Sequence, residues 1–149
     1  MWIDSHCHLD AEEFDADRDQ VVARARAGGV GMMLVPAVQA ATFDRVRTVA
    51  HRFGFGYALG IHPLYVSSAQ PGDLEQLSEA VRMAQVDPNF VGIGEIGLDF
   101  TEGAPDAQQQ ERFYEAQLRL ARSWSLPVVV HVRRSADRLL KYLRRIEVP

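Results

Sequence analysis

His6 and His8 stand one residue apart in Asp4-Ser5-His6-Cys7-His8-Leu9-Asp10, directly after a very short apolar start. Extended backbone sends alternate side chains to the same side, so this spacing predicts two imidazoles sharing one focus. Glu95, in Gly94-Glu95-Ile96-Gly97-Leu98-Asp99, and His131, in Val130-His131-Val132-Arg133, add a carboxylate and a third imidazole. Neutral imidazole and carboxylate oxygen together suit zinc, manganese, iron and similar divalent ions, while magnesium asks for more oxygen and water. The set points to a metal-dependent hydrolase in which Glu95 is the catalytic carboxylate. Between His6 and His8 on one side and His131 on the other, it could bridge two ions a few ångströms apart.

Two further residues fit a substrate-facing role. His62 follows Gly60-Ile61, and Arg133 lies two residues past His131, where a guanidinium could hold a phosphate or carboxylate oxygen bidentately. Plainer readings stand beside these: a strand-end histidine hydrogen-bonded in its loop, an acid paired with an arginine, and a solvated Arg133-Arg134 pair. Cys7 is expected to point away from the two histidines, and His51, beside Arg52, reads as surface.

The elements that would position these residues alternate. Short apolar, β-branched runs predict strands near Trp2 to Asp4, Gly31 to Val35, Gly56 to Gly60, Phe90 to Gly94 and Pro127 to His131. Amphipathic stretches between them predict helices near Asp15 to Ala27, Ala41 to Phe53, Gly72 to Gln85, Asp106 to Trp124 and Ser135 to Arg145. Gly28-Gly29 is a natural stop for the first helix, and Pro88 and Pro127 fall where helices have ended. Five successive βα units imply a parallel sheet with its helices outside. An open doubly wound sheet usually carries a glycine-rich turn after its first strand, and here that turn is His6-Cys7-His8, so the TIM-barrel type of βα repeat is preferred. Each candidate site residue then falls at or just past the C-terminal end of a strand, where barrel enzymes carry their chemistry.

Composition narrows the chemistry further. The chain has 149 residues, 47% of them hydrophobic, enough for one core and one domain. Cys7 is the only cysteine, so a Cys-rich zinc site is excluded within one chain and any metal must be held by His and carboxylate. The formal charge of −4 lacks the basic footprint of a protein that neutralises an extended run of phosphates. An enzyme gripping a few phosphates can instead draw positive charge from metal ions and one or two arginines. No apolar stretch approaches the roughly 20 residues of a membrane span, and Met1-Trp2-Ile3-Asp4 lacks the features of a signal peptide. No membrane partner and a cytoplasmic location are therefore expected.

Taken together, Ile3-Asp4-Ser5-His6-Cys7-His8-Leu9-Asp10, Gly60-Ile61-His62-Pro63, Gly94-Glu95-Ile96-Gly97-Leu98-Asp99-Phe100, Gln110-Glu111, Gln117-Leu118-Arg119-Leu120-Ala121, Leu126-Pro127 and His131-Val132-Arg133 resemble the TatD family of metal-dependent deoxyribonucleases. The resemblance runs from Trp2 to about Arg145 and implies a TIM barrel of the amidohydrolase type. By resemblance, His6 and His8 bind the first divalent ion, Glu95 bridges, His131 binds the second, and His62 and Arg133 face the substrate phosphate. The implied activity is Mg2+-dependent removal of nucleotides from DNA ends, with Zn2+ or Mn2+ as other candidate ions. One departure is local: the family commonly has Ser and then Arg-Asp around the fifth-strand histidine, whereas His131 is followed by Val132-Arg133-Arg134.

Length is the other departure. A barrel of this type needs about 200 residues or more. Residues 1–149 are thus expected to form the N-terminal five βα units, without the later units that supply another histidine ligand and an aspartate base. The expectation is an incomplete barrel with impaired catalysis, its missing half lost by truncation or supplied by another chain. Two alternatives stay open: a metal hydrolase of a non-nucleic-acid ester, lactone or amide, and a non-catalytic metal-binding or assembly fragment.

Overall fold

In a computed structural model describing residues 1–149, five strands and five α-helices alternate along the chain. The strands are β1 (Trp2–Asp4), β2 (Val30–Pro36), β3 (Gly56–Leu59), β4 (Phe90–Asp99) and β5 (Val128–Arg133). The helices are α1 (Arg18–Ala27), α2 (Phe43–Phe53), α3 (Asp73–Ala84), α4 (Ala107–Ser123) and α5 (Ala136–Ile146). Every neighbouring pair of strands is parallel and the order is β1-β2-β3-β4-β5, so the sheet is a half-barrel whose helices lie outside, as expected. No helix is long and apolar enough to cross a membrane.

The core lies between sheet and helices, and the spacing of apolar residues explains why. Val46, Val49 and Ala50 of α2, Leu77, Val81 and Ala84 of α3, and Phe113, Tyr114, Leu118 and Ala121 of α4 are all buried. Steps of three and four residues keep each set on one helix face. Helix α1 differs: only Val22 is buried, with Val21 and Ala25 partly so, because arginines interrupt its apolar stripe. Gly54 closes α2 in a left-handed conformation at φ 69°, and the Asp106 carboxylate caps α4 by accepting from the Gln109 N–H at 2.9 Å. At the opposite end of the strands from the histidines, Asp87 accepts from His51 Nε2 at 2.7 Å and from the Tyr57 hydroxyl at 2.9 Å. His51 is exposed, as expected, and serves to tie the end of α2 to this loop.

The main departure from the sequence expectation is β4. The apolar run with glycines at 92, 94 and 97 predicts an end at Gly94, yet the strand continues to Asp99. Its second half is paired with β5, matching Ile96 to Val130, Gly97 to His131, Leu98 to Val132 and Asp99 to Arg133. Between Ile93 and Ile96 the register shifts, with three steps on β4 against two from Val128 to Val130 on β5. Such a bulge turns side chains out of simple alternation. Glu95 sits inside it, in mid-strand rather than at a strand end.

Gly97 shows why these glycines are compatible with a strand. It has φ 146°, and a Cβ there would lie 2.0 Å from the His131 carbonyl oxygen. The two backbones can approach this closely only without a side chain. Gly97→Ala is therefore expected to cost roughly 3 kcal/mol, as an overpacked core site does. Urea unfolding measures this, and an unchanged midpoint would contradict the close approach.

Candidate metal centre

Glu95 collects the histidines. Its Oε2 lies 3.0 Å from His6 Nε2 and 3.3 Å from His8 Nε2, and those two nitrogens are 3.3 Å apart. An ion about 2.0 to 2.1 Å from each of three tetrahedral ligands requires ligand atoms about 3.3 Å from one another. The triangle His6, His8, Glu95 fits a divalent ion. The other carboxylate oxygen, Oε1, lies 3.1 Å from His131 Nδ1 and 3.5 Å from His62 Nε2. These atoms form a second group of metal-ligating type, sharing only Glu95 with the first.

The positions arise from local structure. His6 and His8 lie beyond β1, in the loop, and converge there without the strand alternation that first suggested it. The loop is tied to the sheet by the Cys7 N–H donating to the Leu34 carbonyl at 3.0 Å, while Cys7 packs against the core as expected. Both histidines remain substantially exposed, whereas Glu95 is buried. The site is open at its mouth and has its charge at its floor.

Burial works to raise the Glu95 carboxyl. Hydrogen bonds from His62 and His8, with the charges of His62 and His6, outweigh it and hold Glu95 well below the usual carboxylate range. Reciprocally, the hydrogen bond to Glu95 raises His8 above the usual imidazole range against its own desolvation. The carboxylate is ionised, which is the form that binds cations.

His62 differs from the other histidines. Its Nδ1 accepts the Leu64 backbone N–H at 3.1 Å, at the start of the Pro63–Tyr65 turn. A backbone amide can only donate, so the neutral ring carries its proton on Nε2, the nitrogen facing Glu95. His62 is thereby built as a donor rather than a metal ligand through Nε2. The residue itself is nearly fully buried.

Asp99 was not among the residues singled out from the sequence. It is fully buried, and its Oδ2 lies 3.0 Å from His131 Nε2, the nitrogen opposite the one that faces Glu95. Burial would raise its carboxyl, but hydrogen bonds from Thr101 and His131 lower it to about 2. Its place four residues after Glu95 on a strand was the available signal. Arg133 is paired in register with Asp99 and its guanidinium is exposed at the end of β5.

Two buried glutamines, seven residues apart on α4, fix the strand ends. Gln117 Nε2 donates to the Ile61 carbonyl at 3.0 Å and its Oε1 accepts the Ile61 N–H at 2.7 Å, so the residue before His62 is held at both backbone groups. Gln110 grips Asp99 in the same way, at 2.8 Å for each bond. Helical spacing of seven puts both amides on one face of α4.

The comparisons with known proteins agree with this geometry. Residues 3–149 match the family described as TatD related DNase. The chain belongs to the TatD family. It is 39% identical over 151 residues to the uncharacterized metal-dependent hydrolase YjjV of Escherichia coli K12, covering 99% of this chain and 57% of that relative. It is 38% identical over 138 residues to the 3'-5' ssDNA/RNA exonuclease TatD of Klebsiella pneumoniae strain 342, covering 92% of this chain and 51% of that relative. The crystal structure of the YjjV TatD homologue superposes with a TM-score of 0.93 at 37% identity, over 99% of this chain and 57% of the other. The chain thus spans about half the length of the TatD relatives it matches.

The glutamine clamps yield a test. Gln117→Ala leaves both Ile61 backbone groups without a partner and is expected to cost about 2 to 6 kcal/mol, at roughly 1 to 3 per buried orphan group. Gln117→Glu keeps the acceptor but turns an oxygen towards the Ile61 carbonyl, so the near-isosteric change should not rescue stability. Thermal or urea unfolding of both variants measures this, and wild-type stability of the glutamate variant would contradict it.

Proposed function

We propose that residues 1–149 form the N-terminal five βα units of a metal-dependent nuclease that removes nucleotides from the ends of DNA. The observation that carries this reading is the division of the Glu95 carboxylate: one oxygen faces His6 and His8, the other faces His131. His6, His8 and Glu95 would hold one divalent ion, and Glu95 and His131 a second. Ions in these places supply Lewis acidity and an activated water for attack on phosphorus. Mg2+ is proposed as the working ion from the family resemblance, with Mn2+ and Zn2+ suited to the imidazole-rich ligand set.

The chain's own groups complete the recognition. The His62 Nε2–H would donate to a phosphate oxygen, and Arg133 would hold phosphate bidentately, the two supplying positive character on a chain of net charge −4. Relatives named as 3'-5' ssDNA/RNA exonucleases support a nucleic-acid substrate. Work in the cytoplasm accords with Cys7 as a lone, unpaired thiol.

Further βα units are proposed to complete the barrel along β1 and β5. Trp2 and Ile3 on edge strand β1 are 73% and 66% exposed, and Val132 on edge strand β5 is 50% exposed, apolar surface that closure would cover. A metal hydrolase of a different bond is the second reading, favoured by the match to YjjV, named as a metal-dependent hydrolase with no substrate stated.

Mn2+ binding followed by calorimetry, with release of nucleotide from end-labelled single-stranded DNA, tests the proposal. Glu95→Ala should lose both ions and His8→Ala one, and chelation should abolish DNA cleavage. Undiminished cleavage in Glu95→Ala would overturn the assignment, and turnover of lactones or esters without any of DNA would favour the second reading.

A further inference from the structure

Asp99 is the one fully buried acid in contact with the candidate metal centre that no ligand set includes. Each of its polar groups has a fixed partner. Oδ1 accepts both the Thr101 N–H, at 3.0 Å, and the Thr101 hydroxyl, at 2.5 Å. Its backbone N–H and carbonyl are taken by Gln110. Only Oδ2 is left for His131 Nε2, at 3.0 Å.

We infer that Asp99 is a positioning residue that selects the tautomer of His131. A carboxylate accepts and cannot donate, so the imidazole facing it carries a proton on Nε2. With a cation held between Nδ1 and Glu95 Oε1, which lie 3.1 Å apart, both atoms would present lone pairs, and the proton fixed on Nε2 leaves Nδ1 free to ligate in the second group. Carboxylates that hold the far nitrogen of a ligating histidine fix ring orientation and raise ligand basicity, and losing them typically costs 10- to 100-fold in metal affinity. This inference rests on the reading of His131 as a ligand of the second ion.

Thr101 makes the inference sharply testable. In Asp99→Asn the Thr101 backbone N–H still demands an acceptor, so the amide oxygen must take the Oδ1 place and the amide nitrogen must face His131. That NH2 group donates to Nε2 and drives the ring proton to Nδ1, against Glu95, where it blocks the ligating lone pair. Asp99→Ala dictates neither tautomer. A tautomer-selecting role therefore makes the near-isosteric asparagine more damaging than alanine, whereas a merely structural role makes alanine the worse of the two.

The experiment is a calorimetric titration of Zn2+ alone into the metal-free full chain, for wild type, Asp99→Asn, Asp99→Ala and His131→Ala. Second-ion affinity should fall at least 10-fold in Asp99→Asn, close to the loss in His131→Ala, and by less in Asp99→Ala. Asparagine binding the second ion as tightly as alanine or wild type overturns the inference while leaving the metal reading intact. His131→Ala binding both ions like wild type overturns the metal reading and the inference with it. Because a variant can fail to fold, the wild type is also read directly: 15N NMR of the Zn2+-loaded chain should show His131 protonated at Nε2 and unprotonated, with the shift of a zinc-bound nitrogen, at Nδ1. The opposite assignment overturns the inference without any substitution.

Discussion

The site depends on a buried carboxylate that would be unfavourable without its partners. Glu95 lies at the floor of the half-barrel with one oxygen committed to His6 and His8 and the other to His62 and His131. An ionised acid removed from water must be compensated by donors or cations, and here His6 and His8 from one loop and His62 from another do so. The surrounding fold can be understood as the means of bringing them there. The bulge in β4 presents the carboxylate, Gly97 lets β5 come close enough to bring His131, and Gln117 holds the backbone that ends at His62.

The proton positions around this carboxylate are set from outside it. His62 receives a backbone N–H on Nδ1, and His131 faces the Asp99 carboxylate with Nε2. One ring therefore turns a donor towards the centre and the other turns a lone pair. Two histidines on the same oxygen of Glu95 are thus chemically different, although sequence and distance alone would class them together. This difference separates a ring that presents a hydrogen-bond donor to Glu95 from one whose far nitrogen is held by a carboxylate.

Much of this arrangement was legible in the sequence, and the reasons are physical. Alternating β-branched runs and amphipathic helices led to the parallel βα order, because each helix must bury one stripe on the sheet. The His6, His8, Glu95 and His131 set was recognisable because imidazoles and a carboxylate within or just past apolar strand-forming runs have little structural purpose in such numbers. The length of β4 was not legible: Gly94 and Gly97 look like breakers locally, and only their pairing with β5 makes glycine the residue that fits. Asp99, Gln110 and Gln117 were within recognised motifs, but their roles depend on tertiary contacts with His131, Asp99 and Ile61 that spacing along one element does not reveal. The ring nitrogen used by each histidine was likewise hidden, since it is decided by the partner of the other nitrogen.

Membership of the TatD family and the near-identity of fold with the YjjV TatD homologue place these residues in a hydrolase framework, while the chain spans just over half of that protein. The central claim is that one carboxylate divides two ion sites between its oxygens. Anomalous diffraction from crystals soaked in Mn2+ addresses it most directly. Two peaks, one on each side of Glu95, with His6 and His8 at the first and His131 Nδ1 at the second, are predicted. A single peak, or ions bound away from Glu95, would contradict the account.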